Sequence, residues 1–207
     1  MGLVHIHFHK RDLPDGLDLG TEIAVDTEAM GLNPFRDALC VVQLSAGDGE
    51  AHVVQLERSY DCPNLKSLLS DPSRLKIFHF GRFDIAMMKQ WLGITCAPVW
   101  CTKIASKLAR TYTDQHGLKH VAREIAGADL SKAQQSSDWG AETLSEAQLE
   151  YAASDVLHLH AIKAGLEAML EREGRTAIAR ACFEFLPMRA ELDLAGWADS
   201  DIFSHSS

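Results

Sequence analysis

Apolar and polar residues alternate along the first half of the chain, and helical spacing takes over after it. "LVHIHFH" alternates strictly and puts His5, His7 and His9 on one face of a short strand. "TEIAVDTE" is a β run that ends in acids, "NPFRD" supplies a turn, and "ALCVVQLS" is a further strand. "AGDGE" carries hairpin-turn chemistry ahead of the strand "AHVVQL". The spacing then predicts a helix over 62–70 and a short buried strand at "LKIFHF". A helix follows from Gly81 to about Leu92, and "APVWC" is a last short strand. From about Cys101 the period is helical, with a short helix over Leu118–Ile125. Ser145 followed by Gln148 fits a capping box that opens a longer helix. Strands first and helices after predict an α/β domain, a mixed sheet with helices on its faces. Residues 1–207 form one domain on this pattern: an N-terminal strand segment over 1–20, a core over 21–172 and a helical tail over 173–207. The tail "FEFLPMRAELDLAGWADSDIF" is rich in Phe, Leu and Trp and is expected to pack.

Composition narrows the class. The 207 residues are 46% hydrophobic and 24% charged, a globular balance that can bury a core. No apolar run approaches the roughly 20 residues of a membrane helix, and the N-terminus shows no secretory pattern, so no membrane partner is expected. The five cysteines are odd in number and form no C-x-x-C pair, which fits a reduced, cytoplasmic setting better than a disulfide scaffold or a zinc knuckle. A net charge of −9 argues against a broad basic surface that grips long duplexes. It leaves room for a nucleic-acid enzyme, because bound divalent cations supply positive charge locally.

The acids carry the chemistry. Asp26 and Glu28 share a face at the end of the first acid-bearing strand, while Thr27 points away. Two adjacent carboxylates there suit either a solvated strand end or a hard divalent cation, Mg²⁺ or Mn²⁺. Asp84 falls in the first turn of a helix, where an acid also complements the dipole. Asp155 lies inside a helix, on a face that carries Tyr151, Ala152 and Leu159, and needs a partner. Together these acids match the set that two-metal phosphoryl chemistry uses. Tyr151, one turn from Asp155, can then orient or deprotonate an attacking water.

"VDTE", "FHFGRFD" and the Y-x-x-x-D of "LEYAASD" resemble the three motifs of the 3′–5′ exonucleases named for their D-E-D-D acids, in the tyrosine subclass. "SSDWGAETLSEAQLEYAASD" is similar to ribonuclease D. "GLNPFRDALCVVQLSAGDG", "CTKIASKLARTYTDQHGLK" and the tail resemble the narrower nanoRNase C family, bacterial enzymes that degrade very short oligonucleotides. The resemblance implies a ribonuclease H-like fold with a five-stranded mixed sheet. It implies that Asp26 bridges two Mg²⁺ or Mn²⁺ ions, with Glu28 and Asp155 completing one site and Asp84 supporting the other. Tyr151 would position the nucleophile, and nucleoside 5′-monophosphates would leave from the 3′ end. It implies a homo-oligomer, octameric in that family, acting on short single-stranded RNA. The 2′-hydroxyl contacts that separate RNA from DNA are not placed by the motifs.

Residues near the motifs are candidate substrate contacts. Met30, Gly31 and Leu32 follow the acids; Leu32 is either a wedge between bases or a turn residue that fills the core. His79, Arg82 and Phe83 surround the second motif, and Gln134, Gln135, Ser136 and Lys132 are loop residues that could meet phosphate. Lys103, Lys107 and Arg110 have helical spacing and suggest a basic stripe. Two rival functions remain open: trimming of longer RNA or DNA 3′ ends, and a non-catalytic RNA-binding module. The intact acid set argues against the second.

Overall fold

The computed structural model describes residues 5–131 and 133–205. Its centre is a six-stranded mixed sheet in the order β1-β4-β3-β2-β5-β6. The strands are β1 His5–Lys10, β2 Glu22–Ala29, β3 Leu39–Ser45, β4 Glu50–Gln55, β5 Leu75–Phe78 and β6 Val99–Cys101. β2, β3 and β4 form an antiparallel meander, whereas β5 and β6 add in parallel beyond β2. The five-stranded expectation is corrected by one: β1 pairs in parallel along β4, from His5 against Glu50 to Lys10 against Gln55. All six alternating or apolar runs of the sequence thus join one sheet.

β3 is buried along its whole length, because helices cover both faces of the sheet at its centre. Its apolar run is broken by Gln43, fully buried and paired in register with Asp26. On one face lies α5, Glu146–Leu157, whose Ala152 packs with Val41, Val53 and Trp139. The capping box forms as expected: Ser145 accepts from the Gln148 backbone N–H, and the Gln148 side chain accepts from the Ser145 N–H. The box fixes where α5 starts, and the packing of Ala152 fixes which of its residues face the sheet.

The other face holds the larger core, with Ile23, Val25, Leu44 and Val54 from the strands. α1 Pro63–Ser70, α2 Arg82–Met87, α3 Thr102–Ala109 and α6 Leu159–Arg172 contribute Leu65, Leu69, Met87, Ala105 and Leu166. α2 continues into a wider π-type segment over Met88–Leu92, so the helix ends where the spacing predicts. α4, Leu118–Val121, likewise runs on through Ala122–Ala126.

The tail packs, as its composition requires. α7, Thr176–Leu192, lays Phe183 against Trp100 with ring centroids 4.9 Å apart. Burying one such ring is worth roughly 1.5–3 kcal/mol. Ion pairs tie the tail to the α2 region: Arg82 to Asp193 at 2.5 Å and Lys89 to Glu191 at 2.7 Å.

Candidate active site

The acids converge because β2 alternates and α5 crosses the sheet above it. Asp26 and Glu28 point to the face that α5 covers, and the register shifts at Glu28/Ala29, a bulge-like irregularity across which β2 stays paired with β3. Asp155 descends from α5. Carboxylate oxygens of Asp26, Glu28 and Asp155 lie within 4.8 Å of one another. Asp84 enters from the first turn of α2, and its buried carboxylate accepts a 2.6 Å hydrogen bond from the Thr27 hydroxyl. Thr27 thus points away from Asp26 and Glu28, as strand alternation requires, and serves the fourth acid.

The charges are in conflict when no cation is counted. Burial, reinforced by Asp84, Asp155 and Glu28, holds Asp26 well above the usual carboxylate range. Burial followed by Asp155 and Asp84 lifts Glu28 to about 9. Burial also raises Asp84 to about 7, against the Thr27 hydrogen bond. Asp155 is likewise raised to about 7, mainly by burial. Gln43 holds Asp26 in place, its Nε2–H donating to Oδ2 at 2.7 Å. All the donors are oxygens, the set that a hard divalent cation prefers over soft metals.

Tyr151 stands beside Asp155, its ring 6.0 Å from that of Trp139 and tilted by 42°. Burial first, then Asp155, Glu28 and Asp26, push its hydroxyl far above the ordinary phenol value. The group is therefore a phenol at neutral pH, a hydrogen-bond donor that can orient rather than a phenolate.

A cleft of about 530 Å³ opens over these groups. Met30, Gly31, Leu32, His79, Phe83, Gln135 and Ser136 all line it, together with Asp26, Glu28, Tyr151 and Asp155. Leu32 is 85% exposed, which rules out the core-filling alternative and leaves an apolar group standing on the rim. Gly31 is required by a close approach, since a Cβ there would sit 2.4 Å from Asp37 Oδ2. His79 is pushed down to about 3, chiefly by burial and then by Lys103, and its Nδ1 pairs with the Thr102 hydroxyl at 2.7 Å. It is a neutral imidazole, unsuited to counter phosphate charge.

Two expectations are corrected. Arg82 does not line the cleft: Nε and Nη2 donate to Asp193 at 2.5 and 2.7 Å, and Nη2 reaches the Ala198 carbonyl at 2.8 Å. The basic stripe does not exist as one surface. Lys103 lines the cleft and Lys107 is exposed, but Arg110 is buried and paired with Glu124, its Nη1 donating to the Gln115 carbonyl at 2.8 Å. Lys132 lies outside the described residues.

The sequence reading missed Gln43, Phe80 and Lys119. Gln43 had a signal, the one amide inside an apolar strand. Phe80 had none: it takes φ +69°, is partly exposed in the cleft, and lies under the Lys103 ammonium at 4.1 Å. That contact brings a positive charge into the lining of the cleft. Lys119 joins it from α4.

Comparisons with known proteins agree with this geometry. A family described as 3′–5′ exonuclease matches residues 9–171. Ribonuclease D of Granulibacter bethesdensis is 36% identical over 155 residues, covering 75% of this chain and 39% of that protein. Ribonuclease D of Gluconacetobacter diazotrophicus is 37% identical over 153 residues, covering 74% and 39%. The chain thus spans about two fifths of the length of the curated relatives it matches. The structure of Brucella melitensis NrnC with bound Mg²⁺ superposes with a TM-score of 0.93 at 59% identity, covering 98% of this chain and 100% of that one. NrnC bound to pGG gives 0.94 at 58% identity, again over 98% and 100%. Escherichia coli RNase D gives 0.71 at 28%, over 86% of this chain and 48% of that one. With its acids on these elements and the match running through all three motifs, the chain belongs to the 3′–5′ exonuclease family, among its ribonuclease D-like members.

Proposed function

We propose that the chain is a 3′–5′ exonuclease that hydrolyses short oligonucleotides, dinucleotides included, to nucleoside 5′-monophosphates with two divalent cations, Mg²⁺ or Mn²⁺. The observation that carries the reading is the convergence of three carboxylates from β2 and α5 at one end of an open cleft. Asp26, Glu28 and Asp155 are the residues that would hold the cations, with Asp84 in support behind Thr27. When bound, such cations lower the cost of deprotonating water and stabilise charge on a leaving oxygen. The carboxylates would supply the matching negative charge, and a bound cation would offset the burial and mutual repulsion that raise Asp26 and Glu28.

The remaining residues orient. Tyr151, protonated and next to Asp155, donates a hydrogen bond to the nucleophilic water and fixes its approach to the phosphate. Leu32 on the rim offers an apolar surface against the terminal bases, and Phe80 offers a ring on which a base can stack. Lys103 and Lys119, which also line the cleft, receive phosphate oxygens, with Gln135 and Ser136 as hydrogen-bond partners.

The short-substrate reading is supported by charge. A protein of net charge −9 neutralises few phosphates away from its cations, so affinity must concentrate at the terminal nucleotides. It is also supported by likeness over nearly the whole chain to NrnC, a structure of which holds pGG. Five free cysteines support a reducing, cytoplasmic setting. Among the described residues no helix is long and apolar enough to cross a membrane.

The test is hydrolysis of RNA and DNA strands of two, five and twenty nucleotides sharing one 3′ sequence, with Mg²⁺ or Mn²⁺ and with chelator. The expected result is metal-dependent release of 5′-monophosphates, highest kcat/KM on the shortest strands, and none from a folded Asp26→Ala variant. Faster turnover of the twenty-mer replaces the reading with general 3′-end trimming. Wild-type turnover by Asp26→Ala overturns the metal assignment.

A further inference from the structure

A second cluster of ligating side chains lies across the sheet from the cleft. Asp26 pairs with Gln43 and Gln43 with Val53, so these share the face that α5 covers. His52, the neighbour of Val53, therefore projects from the opposite face, where it pairs with Leu44 on one side and His7 on the other. Alternation puts His9 and Glu50 on that same face. The parallel docking of β1 along β4 is what assembles this group. In the sequence the β1 histidines had no completing partners, since Glu50 and His52 stand more than forty positions away.

The geometry is tight. His7 Nε2 lies 2.8 Å from Glu50 Oε2, and the His7 and His52 rings stack with centroids 4.6 Å apart. One ligating atom from each of His7, Glu50 and His52 falls within 4.8 Å of the other two. Ligands about 2.0–2.2 Å from a tetrahedral zinc stand roughly 3.3–3.5 Å from one another, so the His7 and His52 rings would turn out of their stack to aim in-plane lone pairs at one ion. His9 Nε2 sits 3.0 Å from His52 Nδ1. Such a contact to the second ring nitrogen fixes the tautomer of a ligating imidazole. His52 is buried, whereas His7 and Glu50 remain open enough for an ion to enter.

We propose that His7, Glu50 and His52 form a site for a borderline divalent transition-metal ion, Zn²⁺ in type, that clips β1 to β4. The donor set of two imidazoles and one carboxylate, with an open fourth position, is a zinc set rather than a magnesium one. It differs in kind from the all-carboxylate cleft, so the two places sort cations by ligand chemistry. The clip has a structural consequence. β1 has one neighbour in the sheet, and an ion bridging it to β4 adds the restraint that a second neighbour would give.

The test is calorimetric titration of tag-free, chelator-stripped full chain with ZnCl₂ in excess Mg²⁺, with X-ray absorption on the loaded sample. Wild type and Asp26→Ala should each bind Zn²⁺ with nitrogen neighbours. His7→Ala should lose at least about tenfold in affinity, and Glu50→Gln a similar amount. Zn²⁺ should raise the melting temperature of wild type but not of His7→Ala. The proposal is overturned if His7→Ala and Glu50→Gln both bind Zn²⁺ as wild type does, or if the only Zn²⁺ bound is lost in Asp26→Ala. Neither result bears on the exonuclease reading, which rests on residues of the opposite face.

Discussion

Glu28→Gln tests whether the cleft stores the electrostatic conflict that its cations would relieve. Glutamine keeps the shape of Glu28 and removes its charge. In the metal-free fold Glu28 titrates at about 9 instead of its ordinary 4.5. An acid whose midpoint is raised on folding contributes fully below the unfolded value, and that contribution drains away as pH rises to the folded one. At pH 7 the unfolded chain ionises Glu28 while the folded one holds it protonated. The gap from 4.5 to 7 is a cost of about 3 kcal/mol at roughly 1.4 kcal/mol per pH unit, an upper bound because water can enter the open cleft. Glutamine carries no such cost. Urea unfolding in chelator, followed by circular dichroism, should therefore find the variant level with wild type near pH 4.5. It should be more stable by up to about 3 kcal/mol at pH 7, and by more at pH 8. In saturating Mg²⁺ the order should reverse, because wild type gains binding energy that the variant lacks. A variant no more stable than wild type at pH 8 in chelator would refute the account of the acids as mutually repelling and desolvated.

Tyr151→Phe should lower kcat by about 10²–10⁴ and leave KM nearly unchanged, since only the water-orienting hydroxyl is removed; retention of most of the turnover would return Tyr151 to a packing role beside Trp139. Leu32→Ala should leave the melting temperature within a degree or so, given 85% exposure, and lower kcat/KM on dinucleotides more than on twenty-mers; equal losses on both would remove the wedge. Light scattering at micromolar concentration should give a mass several times 22.8 kDa, as the exposed Ile178, Phe185, Met188, Ile202 and Phe203 of the tail suggest, and a monomer would refute the oligomer.

Local rules reached the acids and stopped at contacts made by distant segments. Strand alternation alone put Asp26 and Glu28 together and turned Thr27 away, the Ser145–Gln148 box marked the start of α5, and the four-residue spacing gave Tyr151 and Asp155 a common face. Arg82 shows the limit. Its motif placed it near the acids, but its partner Asp193 is 111 positions later in the chain, and no helical period announces that pairing. Arg110 failed in the same way: a helical stripe predicts direction but not that Glu124 will cover it. β1 was visible as an alternating run and β4 as a strand, but their parallel pairing was not, because parallel pairing has no hairpin to declare it. Phe80 escaped because a positive φ at a non-glycine residue leaves no mark in the pattern.

The Arg82–Asp193 pair makes the chain's last segment a brace for Asp84, the acid of the second motif. Arg82 stands two residues before Asp84 on the same short helix, and Asp193 also holds Arg189 of α7 at 3.0 Å. Helix α2 is six residues long before it runs on into the wider Met88–Leu92 segment, and so short a turn gains its position from what packs against it. Its stiffness is borrowed from the tail. A truncation ahead of Asp193 would leave every acid in the sequence and still loosen the site, as a keystone removed from one side of an arch lets the other side drift. Parts of the chain outside the cleft lining thus help set how sharply Asp84 is aimed.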